Sequence, residues 1–353
     1  MSLDWLGWNS KLDDAFRPHR DRGRTPARVA REDRDGYLLL TAAGEHAARL
    51  SGRLRHDARG RLEWPAVGDW VAVRRADGGP GVIDGVLPRA SAFVRKVAGD
   101  ATAEQVVAAN VDTVLLVSGL DGDFNPRRIE RYLAAAWESG AAPVVVLNKA
   151  DLEPELEARI ATVESVAIGV PVVALSARTG AGLEALAPWV VPGRTVALLG
   201  SSGVGKSTIV NALLGGARQA TAEVRADDSR GRHTTTRREL VPLPGGGVLI
   251  DTPGMRELQL WGDAGLPDAF PDIASLASEC RFRDCGHAGE PGCRVIAAVE
   301  EGGLEPARLE SWRKLQRELR HLARRQDARA RARELSRWKQ ITRAMRRHPK
   351  AGR

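Results

Sequence analysis

The sequence predicts an α/β protein with a small β-barrel in front of a mostly parallel sheet and a helical region behind it. Three observations carry this. Residues 36–97 contain short strand-like runs punctuated by Gly, Asp and Pro. From about residue 104 strands and helices alternate, and one strand runs into a Gly-rich octet that opens a helix. After about residue 263 the spacing is helical, interrupted by a Cys-rich loop at 280–293.

Taken in order, residues 1–35 are polar and carry Arg17, Arg20, Arg22, Arg24, Arg28, Arg31 and Arg34. They read as a basic, partly disordered arm. The runs GYLLLTAA, HAARLSGRL, GDWVAVRRADG and GVIDGVLPR then read as barrel strands. A five-stranded oligonucleotide-binding barrel is one candidate, and periodicity does not separate it from other small barrels. In the next region, 98–262, VDTVLLVSGL, PVVVLNKAD, VPVVALSAR and RTVALLG read as buried strands. Between them PRRIERYLAAAWESG, EPELEARIATVESV and GLEALAPWV read as helices, and KSTIVNALLGG follows the last strand as another. RRELVPLPGGGVLIDTPG reads as a hairpin closed near Gly245–Gly247. In the last region, 263–353, Trp312, Leu315, Leu319 and Leu322 share a helical face that packs inward, and Trp338, Ile341 and Met345 extend it.

Composition narrows the function classes. No run of 18 apolar residues exists, so no membrane span is expected. The start MSLDWLGWNSKLDDAF lacks a basic segment followed by an apolar one, which argues against secretion. Three Cys exclude a disulfide scaffold and fit a cytoplasmic protein, expected to be a monomer. The formal net charge of +8 is unevenly spread, since residues 311–353 hold 16 Lys and Arg against three acids. The remaining chain is slightly acidic. That asymmetry suggests a polyanionic partner, although 46 of the 53 basic residues are Arg, a bias that genome composition also produces.

Four motifs place a guanine nucleotide on the second region. Gly200-Ser201-Ser202-Gly203-Val204-Gly205-Lys206-Ser207, followed by Thr208, matches GxxxxGK[ST] between a strand and a helix. Its backbone N–H groups would cradle phosphates, Lys206 would reach the β- and γ-phosphates, and Ser207 would ligate Mg²⁺. Asn148-Lys149-Ala150-Asp151 ends a buried strand. A carboxylate there accepts from N1–H and the 2-amino group of guanine, and adenine lacks both donors. Asn148 would tether the loop and Lys149 would lie over the ring. Ser176-Ala177-Arg178 ends the next strand, where a backbone N–H would meet guanine O6. Asp251-Thr252-Pro253-Gly254 follows strand VLI, so that Asp251 would hold Mg²⁺ through water and the Gly254 N–H would bind the γ-phosphate. One of Thr234, Thr235 and Thr236 should ligate Mg²⁺, with Thr235 favoured.

An ordinary GTPase runs phosphate loop, threonine, DxxG, NKxD, SA. Here NKAD and SAR come first, so the same parts are cyclically shifted, which a sheet tolerates when the old termini are close. This order, together with DFN-x-x-x-I-E-R-Y-L at Asp123–Leu133, resembles the circularly permuted, ribosome small-subunit-dependent GTPases of the RsgA/YjeQ family. The resemblance covers about residues 35–300. The fold expected is therefore a circularly permuted P-loop GTPase domain, preceded by a small barrel of the oligonucleotide-binding (OB) type and followed by a zinc-containing helical domain. Because the DxxG loop is now the last part of the GTPase, loss of the γ-phosphate would release it and move the C-terminal region.

The residue after DxxG is Met255, which cannot orient water, so slow intrinsic hydrolysis and activation by a partner are expected. His233 is the nearest residue in sequence able to orient water, and the family resemblance points to it as catalytic; a surface His that contacts the partner is the alternative. Cys280-x₄-Cys285-x-His287-x₅-Cys293 holds every Cys of the chain. Three thiolates and an imidazole complete a tetrahedral Zn²⁺ site with no open position, hence a structural one. Reduced core thiols or a redox pair are the alternatives. The arm, the barrel and the basic tail offer faces for RNA; Trp64 and Trp70 read as core before base-stacking residues. The resemblance implies that the polyanion is rRNA of the small ribosomal subunit and that GTP hydrolysis times a late maturation or release step. A nucleotide-gated RNA-binding module without hydrolysis, a permuted GTPase of the large subunit, and a phosphate-loop kinase or ATPase are the other readings. The guanine-reading NKAD argues against the last.

Overall fold

In the computed structural model, the residues described are 2–58, 60–75, 79–96, 104–216, 238–251, 260 and 262–324. The first unit contains β1 (Thr25–Asp33), β2 (Gly36–Thr41), β3 (Gly44–Leu50), β4 (Trp70–Arg74) and β5 (Gly81–Val86). β1 pairs with β2 and β2 with β3, all antiparallel; β3 runs parallel to β5; β5 pairs with β4, and β4 returns to β1. The order β1-β2-β3-β5-β4-β1 closes the sheet on itself, with the Greek-key connectivity of an OB barrel. Ala27, Val29, Leu39, Val71, Val73 and Ile83 fill its interior. α1 (Ser10–Arg20) precedes the barrel, and the short α2 (Gly52–Asp57) leads out of β3.

The expected arm at 1–35 is therefore corrected. Asn9 caps α1 by accepting from the Leu12 amide at 3.1 Å, and Leu3, Leu6 and Phe16 are buried. β1 supplies the barrel's closing strand. It was hidden because Arg28 reads as a solvated residue, whereas it lies buried between barrel and sheet. Its guanidinium donates to the carbonyls of Gly68 (3.2 Å), Leu6 and Asn110 (3.1 Å) and to the Thr195 hydroxyl (2.8 Å). Burial pulls its pKa down to about 10, partly offset by Asp112 and Asp69, so it stays charged at neutral pH. Trp70, 2% exposed, packs edge-on against Trp8 at 4.9 Å and lies under Arg28, which makes it core. Trp64 is half-buried beneath the guanidinium groups of Arg55 and Arg61.

β6 (Ala92–Lys96) and β7 (Glu104–Ala109) pair as a separate two-stranded ladder. The expected division between residues 97 and 98 thus falls between two hydrogen-bonded strands. Alternating apolar residues reveal a strand but not which sheet it joins.

The second unit contains β8 (Thr113–Gly119), α3 (Pro126–Ser139), β9 (Ala142–Asn148), α4 (Leu156–Glu164), β10 (Val172–Leu175), β11 (Thr195–Leu199), α5 (Lys206–Leu213), β12 (Glu239–Pro242) and β13 (Val248–Asp251). The order is β10-β9-β8-β11-β13-β12, parallel except for β12, and the pair Arg31↔Glu239 joins β12 to the barrel. Every residue of β8 and β11 is buried, as a sheet covered on both faces requires. α3 starts on Pro126 with Asn125 accepting from the Arg127 and Arg128 amides, and stops at Gly140 in the left-handed region. The expected helix GLEALAPWV is a 3₁₀ helix at Leu183–Trp189 that contains Pro188.

The C-terminal region contains α6 (Leu266–Ala269), α7 (Pro271–Ser278), α8 (Arg294–Glu300) and a helix over 306–324. Leu315 and Leu319 are buried on its inner face, as their spacing predicts. Buried Arg308 fastens this region to the sheet domain. It donates to Asp272 (2.5 and 2.8 Å), to the buried carboxylate of Glu130 on α3 (3.0 Å), and to the Val166 and Ala269 carbonyls. Among the described residues no helix is long and apolar enough to cross a membrane.

Replacing Arg28 by Ala leaves the Gly68, Leu6 and Asn110 carbonyls without that donor at the barrel–sheet junction. The expected cost is about 3 kcal/mol, read from denaturant unfolding of R28A; a loss below about 0.5 kcal/mol would refute the role of Arg28 as the barrel–sheet tie.

Candidate nucleotide site and metal centre

The C-terminal ends of the parallel strands converge on one edge of the sheet, the place where open α/β sheets bind ligands. β11 delivers the Gly200–Ser207 loop and α5 begins at Lys206. A Cβ on Gly200 would lie 2.3 Å from the Val117 carbonyl of β8, so only glycine lets the loop leave the sheet this closely. Gly205 has φ 96°, and a Cβ there would lie 2.2 Å from the Asn148 amide nitrogen. The Lys206 ammonium folds back onto the loop, donating to the Gly200 (2.6 Å) and Ser201 (2.5 Å) carbonyls. Ser202 and Gly203 are exposed, Val204 is buried beneath the loop, and Ser207 and Thr208 are half-buried on the first turn of α5. Gly205 offers that helix no side-chain cap, and the N-terminal N–H groups with the Lys206 charge suit a phosphate group.

Asn148, at the end of β9, is 3% exposed and joins two loops. Its Nδ2 donates to the Val204 carbonyl of the Gly-rich loop at 2.7 Å, and its Oδ1 accepts from the Ala177 amide at 2.9 Å. The Ala177 N–H is therefore engaged by Asn148. Asp151 accepts from the Arg178 guanidinium at 2.5 Å. The Ser176 hydroxyl and then Arg178 hold its carboxyl below the usual carboxylate range. An ionised carboxylate at this edge is an acceptor-only group, as recognition of guanine N1–H and 2-NH₂ requires. Asp251 ends β13 on the same edge. Thr235, with Thr234 and Thr236, and also His233 and Gly254, lie outside the described residues.

Sequence reading assigned no role to the loop 120–125 between β8 and α3. It reaches both halves of the site. Asp121 accepts from the Lys149 ammonium, while Asp123 pairs with Arg128 (2.5 Å) and accepts from the Ser201 hydroxyl. Arg128 also donates to Ser201 at 3.0 Å. The available signal was position, because these carboxylates follow a buried strand at the same sheet edge as the other motifs.

Cys280, Cys285, His287 and Cys293 come together with all four ligand atoms within 4.8 Å of one another. The Cys280 and Cys293 sulfurs are 4.0 Å apart, and His287 Nδ1 lies 3.6 and 3.4 Å from them. A tetrahedral Zn²⁺ with ordinary bond lengths has S···S edges of about 3.8 Å and S···N edges of about 3.5 Å. The donor set and spacing therefore fit that ion. An N–H of His287 lowers the Cys285 pKa, but burial and the Cys293 and Cys280 sulfurs outweigh it and push the thiol up to about 11. A divalent cation bound there would let such a cluster ionise together. The loop is preset: Glu290 accepts from the Gly286 (2.9 Å) and Ala288 (2.7 Å) amides, and the Trp312 ring lies 5.2 Å from that of His287.

Comparison with known proteins identifies the family. Residues 86–261 match the family model described as RsgA GTPase. The chain is 54% identical to the small ribosomal subunit biogenesis GTPase RsgA of Opitutus terrae, covering 97% of this chain and 96% of that protein. It is 48% identical to the protein of the same name from Streptomyces coelicolor, covering 94% and 90%. The crystal structure of YjeQ from Thermotoga maritima superposes with a TM-score of 0.65 at 29% identity, covering 84% of this chain and 98% of that one. YloQ, a circularly permuted GTPase, shares the fold with a TM-score of 0.61 at 24% identity, covering 84% and 96%. The shifted motif order, the barrel before the sheet and identity of this extent along nearly the whole of both chains lead to one conclusion: the chain belongs to the RsgA family of circularly permuted GTPases.

Proposed function

We propose that this GTPase binds the small ribosomal subunit in the cytoplasm and hydrolyses GTP during its late maturation. The subunit stimulates hydrolysis, and hydrolysis times release of the protein or of another factor. The observation that carries the reading is the 54% identity, over nearly full length, to a protein named for small-subunit biogenesis. Family membership supplies the coarser part: GTP and GDP as nucleotides, with Mg²⁺. In the finer reading Asp151 selects guanine and Asn148 holds the loops that surround it. The Gly200–Gly205 amides and Lys206 hold phosphates, Ser207 and Thr235 ligate Mg²⁺, and Asp251 and Gly254 sense the γ-phosphate. His233 orients the attacking water, in place of the residue that Met255 cannot be. The Cys280, Cys285, His287 and Cys293 cluster takes one structural Zn²⁺, and the basic residues of 311–353 meet rRNA.

Turnover measured with purified small and large subunits in parallel tests this. Small subunits alone should raise the rate by orders of magnitude, and His233→Ala should lose that stimulation while keeping nucleotide affinity. Equal rates with both subunits, or no stimulation by either, would reject the reading. Metal removal is a second test. Zinc should be found at one equivalent, and a strong chelator should unfold the segment around 280–293 and lower the melting temperature, because the polar loop relies on the ion for its core. A zinc-free protein with an unchanged melting temperature would reject a structural metal.

A further inference from the structure

The loop 120–125 supplies a residue that the motif reading leaves without a role. We propose that Asp121 is a positioning residue for guanine recognition, fixing the Lys149 ammonium at the base side of the nucleotide site. The inference rests on the reading of Asn148–Asp151 as the guanine site.

Three features show that the pair is built into the fold. Lys149 has φ 67°, a left-handed conformation that a non-glycine residue adopts at a cost, so its Cα–Cβ direction is fixed by the backbone. Gly119, at the end of β8, leaves the room for the contact: a Cβ there would lie 2.7 Å from Asp121 Oδ1 and 3.7 Å from Lys149 Cδ. The Asp121 loop is tied to the strand end that carries Lys149, because the Leu120 amide donates to the Asn148 carbonyl at 2.8 Å. Within the loop, the Phe124 amide donates to the Asp121 carbonyl at 3.0 Å. Burial raises the Asp121 pKa, but the Lys149 ammonium and the Asp123 amide outweigh it and hold the carboxyl below its usual range.

The chemistry follows from side-chain entropy. A lysine has a long flexible stem and loses rotamer freedom when it settles on a ligand. Asp121 removes that freedom in the unliganded protein, so the nucleotide meets a pre-set cation. Both partners remain partly exposed, at 24% and 35% of their side-chain surface, and such pairs add little to folding stability. Asp121 should thus act on affinity with little effect on the melting temperature.

A double-mutant cycle on the full chain, read as GDP affinity by fluorescent-nucleotide titration, tests this. Asp121→Asn should weaken GDP binding about tenfold, Lys149→Met should weaken it at least as much, and the double variant should match Lys149→Met alone. All three should melt near the unmodified protein. Unchanged affinity in Asp121→Asn, or an equal loss with and without the Lys149 amine, would overturn the inference. Asp151→Asn serves as the reference. If it fails to weaken GDP binding, the guanine-site reading itself falls; if it weakens binding and Asp121→Asn does not, only the role of Asp121 falls.

Discussion

The candidate nucleotide site depends on one carboxamide. Asn148 sits at the end of β9, nearly sealed from solvent, and bonds the Gly-rich loop through Val204 and the β10 loop through Ala177. Both bonds are buried, so breaking either strands a polar group where water cannot replace its partner. The same side chain leaves no room for a Cβ at Gly205. The candidate phosphate loop and the candidate base-reading loop come from different strands, and this contact fixes the distance between them.

That dependence explains why the cyclic shift of motifs leaves the site intact. Strand order in space, not order along the chain, brings β11 next to β8 and β8 next to β9. What the shift changes is the exit. β13 leads from Asp251 toward the C-terminal helices, which return to the sheet domain through Arg308 on Glu130 of α3. The first turn of the same helix carries Arg128, which touches Ser201 of the Gly-rich loop. α3 therefore has one end on the candidate phosphate site and a buried charge on the C-terminal region. Removing Arg308 would leave the buried Glu130 carboxylate with Arg127 alone, and removing Glu130 would leave Arg308 held by Asp272 alone.

Much of this was legible in the sequence, for identifiable reasons. Strands buried on both faces, VDTVLLVSGL and RTVALLG, announce a parallel sheet by continuous apolar runs. The Gly-rich octet and the hairpin at Gly245–Gly247 announce themselves through backbone positions that only glycine fills well. Three cysteines and a histidine in one short window end within 4.8 Å of each other. The failures are equally physical. β1 was concealed by arginines, because Arg28 satisfies its donors on carbonyls brought together only by tertiary structure. The pairing of β6 with β7 is a choice of partner, which local pattern does not encode. Asp121 and Asp123 lie in a short loop whose partners, Lys149 and Ser201, are 28 and 78 residues away.

The claim that Asn148 holds the phosphate and base loops in register is tested most directly by GDP affinity of Asn148→Ala, measured beside its circular dichroism and melting temperature. Loss of two buried hydrogen bonds should weaken GDP binding about a hundredfold while secondary structure is retained. A folded Asn148→Ala protein that binds GDP within about twofold of the unmodified chain would contradict the account.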